Sequence, residues 1–138
     1  MVVAYEERGE VSYLILHYPA GHWDFPKGSV KEGEDLLMAA LREVREGTGL
    51  VDIEVIKDFS ETIQYFYRRQ DALVSKEVVF FLGVTNNKEV KLSYEHTGYE
   101  WLPYRMALDR LTYKSSKEVL TKAHKRMLEY LTQRDFSG

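Results

Sequence analysis

GSVKEGEDLLMAALREVREGTGL, residues Gly28–Leu50, is the stretch that decides the fold. It opens as a glycine-rich loop, from Lys27-Gly28-Ser29 through Gly33, and passes into a helical pattern starting near Glu34. At about 100° per residue, Leu37, Ala40, Leu41 and Val44 fall at i, i+3, i+4 and i+7 and form one apolar stripe. Beside the stripe lie Glu43 and Glu46, one turn apart and therefore neighbours, with Arg42 flanking Glu46. Two like charges at that spacing cost an isolated helix a few tenths of a kcal/mol, and a divalent cation removes the penalty. Magnesium takes oxygen ligands from one or two carboxylates and from substrate phosphates. Glycines ahead of the helix let backbone N–H groups close on an anion, and the helix N-terminus adds a favourable dipole. Loop and helix read as a site for a metal-bound polyphosphate, with Glu43 and Glu46 as metal ligands.

The same stretch resembles the Nudix box, G-x(5)-E-x(7)-R-E-U-x-E-E-x-G-U, where U is aliphatic. Gly28, Glu34, Arg42, Glu43, Val44, Glu46, Gly49 and Leu50 match in register. One position departs. Gly47 stands where the family has the second glutamate of its E-E pair, normally a metal ligand. A glutamate at 47 would extend the face of Glu43 and Glu46. Two accounts of Gly47 stay open. One is structural, an early helix end or a close backbone approach; the other is a lost acid, natural or engineered. If the acid was lost, Gly47→Glu should raise magnesium-dependent hydrolysis by about tenfold or more.

The chain has 138 residues, enough for one domain over its whole length and not for two. It is 44% hydrophobic and 30% charged, a globular composition, and its net charge of −3 argues against a nucleic-acid-coating surface. There are no cysteines, which excludes disulfides and thiolate metal sites. No apolar run approaches the roughly 18 residues of a membrane helix, and no charged-then-apolar leader begins the chain. The expectation is a soluble cytoplasmic protein without membrane or nucleic-acid partners, monomeric or weakly dimeric.

Met1–Tyr5 and Val11–Tyr18 read as strands joined at Gly9, in a hairpin or a longer meander. The resembled family usually has a few more residues before the first of these. His22-Trp23-Asp24-Phe25-Pro26-Lys27-Gly28 leads into the box. Lys27 is placed to meet phosphate charge, its alternative being a solvated surface lysine; His22 is a phosphate contact or a packing residue. Gly49 suits a helix C-cap. Asp52–Arg68 reads as one long or broken strand, Arg68–Ala72 as a turn and Lys76–Thr85 as one strand. A loop from Leu92 leads into a short strand that Pro103 ends. Tyr104–Leu111 is a short helix, Ser115 with Glu118 a capping box, and an amphipathic helix follows to about Thr132, with Gln133–Gly138 frayed. The order implies an α/β/α sandwich with a mixed sheet, the same fold that the Nudix resemblance implies.

Outside the box, H-W-D-F-P-K-G-S-V, Tyr65, Lys76-Glu77-Val78-Val79 and L-S-Y-E-H resemble the diadenosine tetraphosphate hydrolases of that family. The resemblance implies that Tyr65 stacks on adenine, that Lys76 contacts phosphate and that Glu95 is a further carboxylate near the metals. It implies magnesium or manganese as cofactor and ATP and AMP as products. Tyr113, Met127 and Tyr130 are candidates for the opposite side of the adenine. Against these stand plain readings: Tyr65 in a core, Lys76 guarding an edge strand, and Glu95 with His96 in a solvated loop. Arg42 is expected to orient Glu46 or Glu43, Glu34 to fix the loop, and either Glu46 or Glu95 to act as general base. The rivals are another Nudix enzyme acting on a nucleoside polyphosphate or an RNA 5′ end, and a non-catalytic nucleotide sensor.

Overall fold

A computed structural model describes the backbone of residues 1–137 and the side chains of residues 1–134. The described residues form strands β1 (Val2–Glu7), β2 (Glu10–His17), β3 (Trp23–Asp24), β4 (Ile53–Val55), β5 (Glu61–Arg69), β6 (Ala72–Phe80), β7 (Leu82–Thr85) and β8 (Gly98–Pro103). The helices are α1 (Leu36–Thr48), α2 (Tyr104–Arg110) and α3 (Lys114–Ser137).

Alternation along the first two strands builds both sides of the molecule. Val2, Ala4, Tyr13 and Ile15 face one core, shared with Ala107 of α2 and Val119, Leu120, Ala123 and Met127 of α3. Val3, Leu14 and Leu16 face the other, shared with Val44 and Leu50. Leu37, Ala40 and Leu41 pack partly buried against this second core, as their spacing predicts. A mixed sheet thus lies between α1 on one face and α2 with α3 on the other. The sheet runs β3-β2-β1-β7-β4, with β8 on the free side of β2; β1 and β7 are parallel and the other pairs antiparallel. The β1–β2 hairpin turns through Arg8 and Gly9, both with positive φ, the twist a two-residue hairpin needs.

Two expected strands divide. Asp52–Arg68 breaks into β4, which pairs with β7, and β5, which pairs with β6; Asp58, at φ 61°, lies in the turn between them. Lys76–Thr85 divides at Phe81, because Phe80 is buried in one core and Phe81 packs against the other. As a result β5 and β6 leave the sheet as a two-stranded ribbon, and Lys76 lies mid-strand opposite Tyr65 rather than at a strand start.

The helix ends also differ from expectation. The first helix starts at Leu36, capped by Asp35, whose carboxylate accepts from Met38 N–H, and Gly49 ends it in the left-handed region at φ 77°. The Ser115–Glu118 capping box does not begin α3. That helix starts at Lys114, with Lys117 N–H bonded to the Tyr113 carbonyl, and Ser116 turns its hydroxyl to Asp24 instead. The backbone is helical through Ser137 where fraying was expected, and Gly138 lies outside the described residues. No helix among the described residues is long and apolar enough to cross a membrane.

Candidate active site

The loop and the helix are locked together by one guanidinium. Arg42 is buried. Its Nε donates to Glu34 Oε2 at 2.6 Å, and its Nη2 donates to Ser29 O at 2.7 Å and to Glu34 Oε1 at 3.1 Å. Its Nη1 donates to Glu43 Oε1 at 2.7 Å and to Glu46 Oε2 at 3.0 Å. Glu34 also accepts from Lys31 N–H at 2.8 Å, so one carboxylate ties the loop to itself and to the helix. The hydrogen bond from Arg42, then that from Lys31, holds the Glu34 carboxyl below its ordinary value. The hydrogen bonds that Arg42 donates to Glu34 and Glu43 raise Arg42 in turn.

Gly28 is needed at its place because the Glu43 carboxylate lies directly against it; a Cβ there would occupy the same space. Glu43 and Glu46 therefore converge on one nitrogen beside a side-chain-free backbone. The donors are hard carboxylate oxygens in a chain without thiols, which fits a magnesium or manganese ion that completes its shell with phosphate and water. Among the described residues no three His, Asp or Glu side chains gather closely enough to hold an ion by themselves. Glu95, expected as a third ligand, is therefore not brought together with Glu43 and Glu46. It stays exposed on a loop whose backbone is pinned by Lys91 N–H to Thr48 O and Ser93 N–H to Gly47 O.

That same loop packs on Gly47. The helix continues through Thr48, so it does not end early. The His96 ring lies over Gly47, and an ideal Cβ there would sit 3.0 Å from His96 Cε1. Position 47 is one turn beyond Glu43 on the same helix line, and a side chain there would need the imidazole to give by a few tenths of an ångström. Burial lowers the His96 pKa, while Glu95 and Glu43 pull it the other way. Its Nδ1 is 3.2 Å from Ser93 Oγ, and its ring meets Tyr18 edge-on at 4.8 Å.

On the other side of Tyr18, His22 stacks at 4.7 Å and leads to Tyr113 at 5.5 Å. His22, Tyr65, Tyr113, Ile63, Asp24, Lys27, Ser115 and Ser116 line a mostly apolar pocket of about 370 Å³. Three expected residues, His22, Tyr65 and Tyr113, thus come together, and Lys27 stands at the same pocket. Met127 is buried in the core and the Tyr130 hydroxyl donates to Glu54, so neither can cover a base there. Asp24 was not anticipated. It is buried, accepting from Lys27 Nζ at 3.0 Å, Ser116 Oγ at 2.8 Å and Phe25 N–H at 2.9 Å. The visible signal was its place three residues before Lys27, an ion-pair spacing. Tyr18, pushed up by burial and by Asp24, Glu43 and Glu95, carried no signal in the sequence beyond a strand end. A separate hollow of about 410 Å³ is lined by Glu6, Asp52, Glu54, Tyr130 and Arg134. Its three carboxylates disfavour a phosphate chain, so the pocket beside Lys27 is the candidate.

Comparison with known proteins shows the family and the fold. A model of the NUDIX domain matches residues 1–123. The bis(5′-nucleosyl)-tetraphosphatase (asymmetrical) of Mus musculus is 33% identical over 124 residues, 86% of this chain and 82% of that protein. An RNA pyrophosphohydrolase of Caulobacter vibrioides is 34% identical over 82 residues, but these are 59% of this chain and 46% of that one. Among solved structures, a binary complex of the C. elegans Ap4A hydrolase superposes with a TM-score of 0.78 at 28% identity, covering 96% of this chain and 94% of the other.

Proposed function

The chain belongs to the Nudix family, and on that premise we propose that it cleaves diadenosine tetraphosphate and related dinucleoside polyphosphates to ATP and AMP, with magnesium or manganese. The observation that carries this reading is the convergence of Glu43 and Glu46 on Arg42 beside Gly28, next to a pocket that brings Tyr65 and Tyr113 together at Lys27. A base enters between Tyr65 and Tyr113. Stacking of this kind is worth roughly 1–3 kcal/mol.

From the pocket the phosphate chain passes Lys27, whose ammonium is aimed by the buried Asp24. Gly28 allows the chain to approach the backbone, and Lys76, on the same ribbon face as Tyr65, adds a second cation. Arg42 keeps the two ridge carboxylates at a fixed spacing and is itself held by Glu34. A divalent ion there would neutralise phosphate charge and acidify the attacking water. Glu46 uses only Oε2 for Arg42, and its side chain is half exposed, which leaves Oε1 to take a proton from that water. Glu95, exposed on its loop, is the competing base.

The test is product analysis of diadenosine tetraphosphate with either metal. ATP plus AMP supports the reading, and two ADP refutes it. The Caulobacter likeness favours one second reading, attack on a triphosphorylated RNA end; preference for such an oligonucleotide in the same panel would establish it. Binding of the dinucleotide without turnover at any metal concentration would identify a sensor instead.

A further inference from the structure

Lys27 lines a second hollow as well as the base pocket. This is a slot of about 160 Å³ between the glycine loop, the first turns of α1 and the middle of β6. Its walls include Val30, Leu36, Ala39, Ala40, Val78 and Val79, with Lys27 and Lys76 as its cations and Glu77 as its one acid. Val30 and Leu36 are 48% and 51% exposed, so two large aliphatic side chains stand in water at the mouth of a cationic groove. Water is a poor partner for them, and a flat apolar group is a better one.

The slot is also continuous with the site. Leu36, Ala40 and Glu43 are spaced i, i+4 and i+7, so they follow one line along the helix. The slot extends the carboxylate ridge toward the N-terminal end of α1, the end that favours anions. Across the ribbon Tyr65 and Lys76 are directly paired and share a face; Tyr65 serves the base pocket and Lys76 the slot. Two apolar hollows thus flank one lysine, with the carboxylates close by.

We propose that the slot seats the second nucleoside of a dinucleoside polyphosphate whose first base lies against Tyr65. This rests on the substrate reading above and deepens it. A polyphosphate carrying one nucleoside fills the base pocket and leaves the slot empty, whereas one capped at both ends fills both. Ala39 and Ala40 leave the helix surface low enough for a base to lie on it, between Val30 and Leu36 on the loop side and Val78 and Val79 on the ribbon side. The slot therefore makes the chain prefer doubly capped substrates.

The experiment is calorimetric binding, with magnesium, of methylene-bridged analogues of diadenosine tetraphosphate and of adenosine 5′-tetraphosphate. The variants are Leu36→Trp, which blocks the slot from its rim, and Val30→Ser with Leu36→Ser, which strips its wall. Both positions are half exposed, so both proteins should fold, and melting curves check this. Each variant should bind the doubly capped analogue at least about fivefold more weakly and the singly capped one within about twofold of the unaltered chain. Equal losses for both analogues, or no loss for either, overturn the assignment. If the unaltered chain binds neither analogue, the substrate reading falls, and the slot with it.

Discussion

Gly47→Glu is the most informative single change. The ideal Cβ at 47 is 3.0 Å from His96 Cε1, and ordinary contact begins near 3.4 Å, so a methyl group alone makes the ring retreat by about 0.4 Å. A carboxylate needs more. Glutamate is the better helix former by about 1 kcal/mol. Against that stand about 1–3 kcal/mol for overpacking, about 1 kcal/mol for the Ser93–His96 hydrogen bond, and a few tenths for repulsion from Glu43 one turn away. The net is a loss of about 1–3 kcal/mol, or about 3–10 °C in Tm for a domain of this size. With His96→Ala already in place, the ring is gone, and the same substitution should be neutral or slightly stabilising. Urea denaturation of the four proteins reads the coupling directly. An identical cost in both backgrounds would show that His96 is not what keeps position 47 clear. Activity follows the same logic. The tenfold gain expected from a restored acid should be larger in the double variant, relative to His96→Ala, than in the single one. A flat response in both would make an acid at 47 dispensable.

Gly28→Ala should lower hydrolysis by about 100-fold, since a displacement of about 1 Å at the Glu43 carboxylate is enough for that; steady-state kinetics that barely change would remove Gly28 from the site. Arg42→Lys keeps the charge but not the fork that reaches Glu34, Ser29, Glu43 and Glu46 together, so both Tm and turnover should fall, and unchanged turnover would show that the ridge needs no such clamp. Tyr65→Ala should weaken binding of the dinucleotide by roughly 1–3 kcal/mol while Tyr65→Phe does not; equal effects would mean the hydroxyl, not the ring, is used. His124 is held below its ordinary value of 6.5 by burial. Its neutral form is the one the fold favours, so stability is complete above pH 6.5 and declines as pH falls through the folded value. Thermal melts of His124→Gln should be flatter between about pH 7 and 5 than those of the unaltered chain, and parallel curves would contradict this.

The box helix, its apolar stripe, its Gly49 end and the sandwich around it were legible because each depends on spacing within one segment. The ribbon was not. Whether Lys76–Thr85 is one strand or two depends on Phe80 and Phe81 entering different cores, and neighbouring apolar residues do not announce that. The capping box at Ser115 failed because α3 begins one residue earlier, at Lys114, which puts Ser115 inside the helix. At the site, His22 was named from its place before the loop and Tyr65 and Tyr113 in the light of the resemblance, and the three line one pocket. Glu95 was named in the same way, yet it does not join Glu43 and Glu46. The contact between Gly47 and His96 was not legible either, because the ring comes from a loop far along the chain.

The ribbon that carries Tyr65 and Lys76 has its own ladder of backbone hydrogen bonds and, among the described residues, is rooted in the core through Ile63, Val78 and Phe80. The clamp at Arg42 is built entirely on other segments. On the proposed reading the ribbon's part of the base pocket and the carboxylate clamp therefore sit on different segments, joined through the loop that carries Lys27 and Ser29. On that reading, substitutions toward the tip of the ribbon would change contacts to the base and the polyphosphate while leaving the Arg42 clamp in place. An engineer could exchange the outer ribbon between relatives as a cassette.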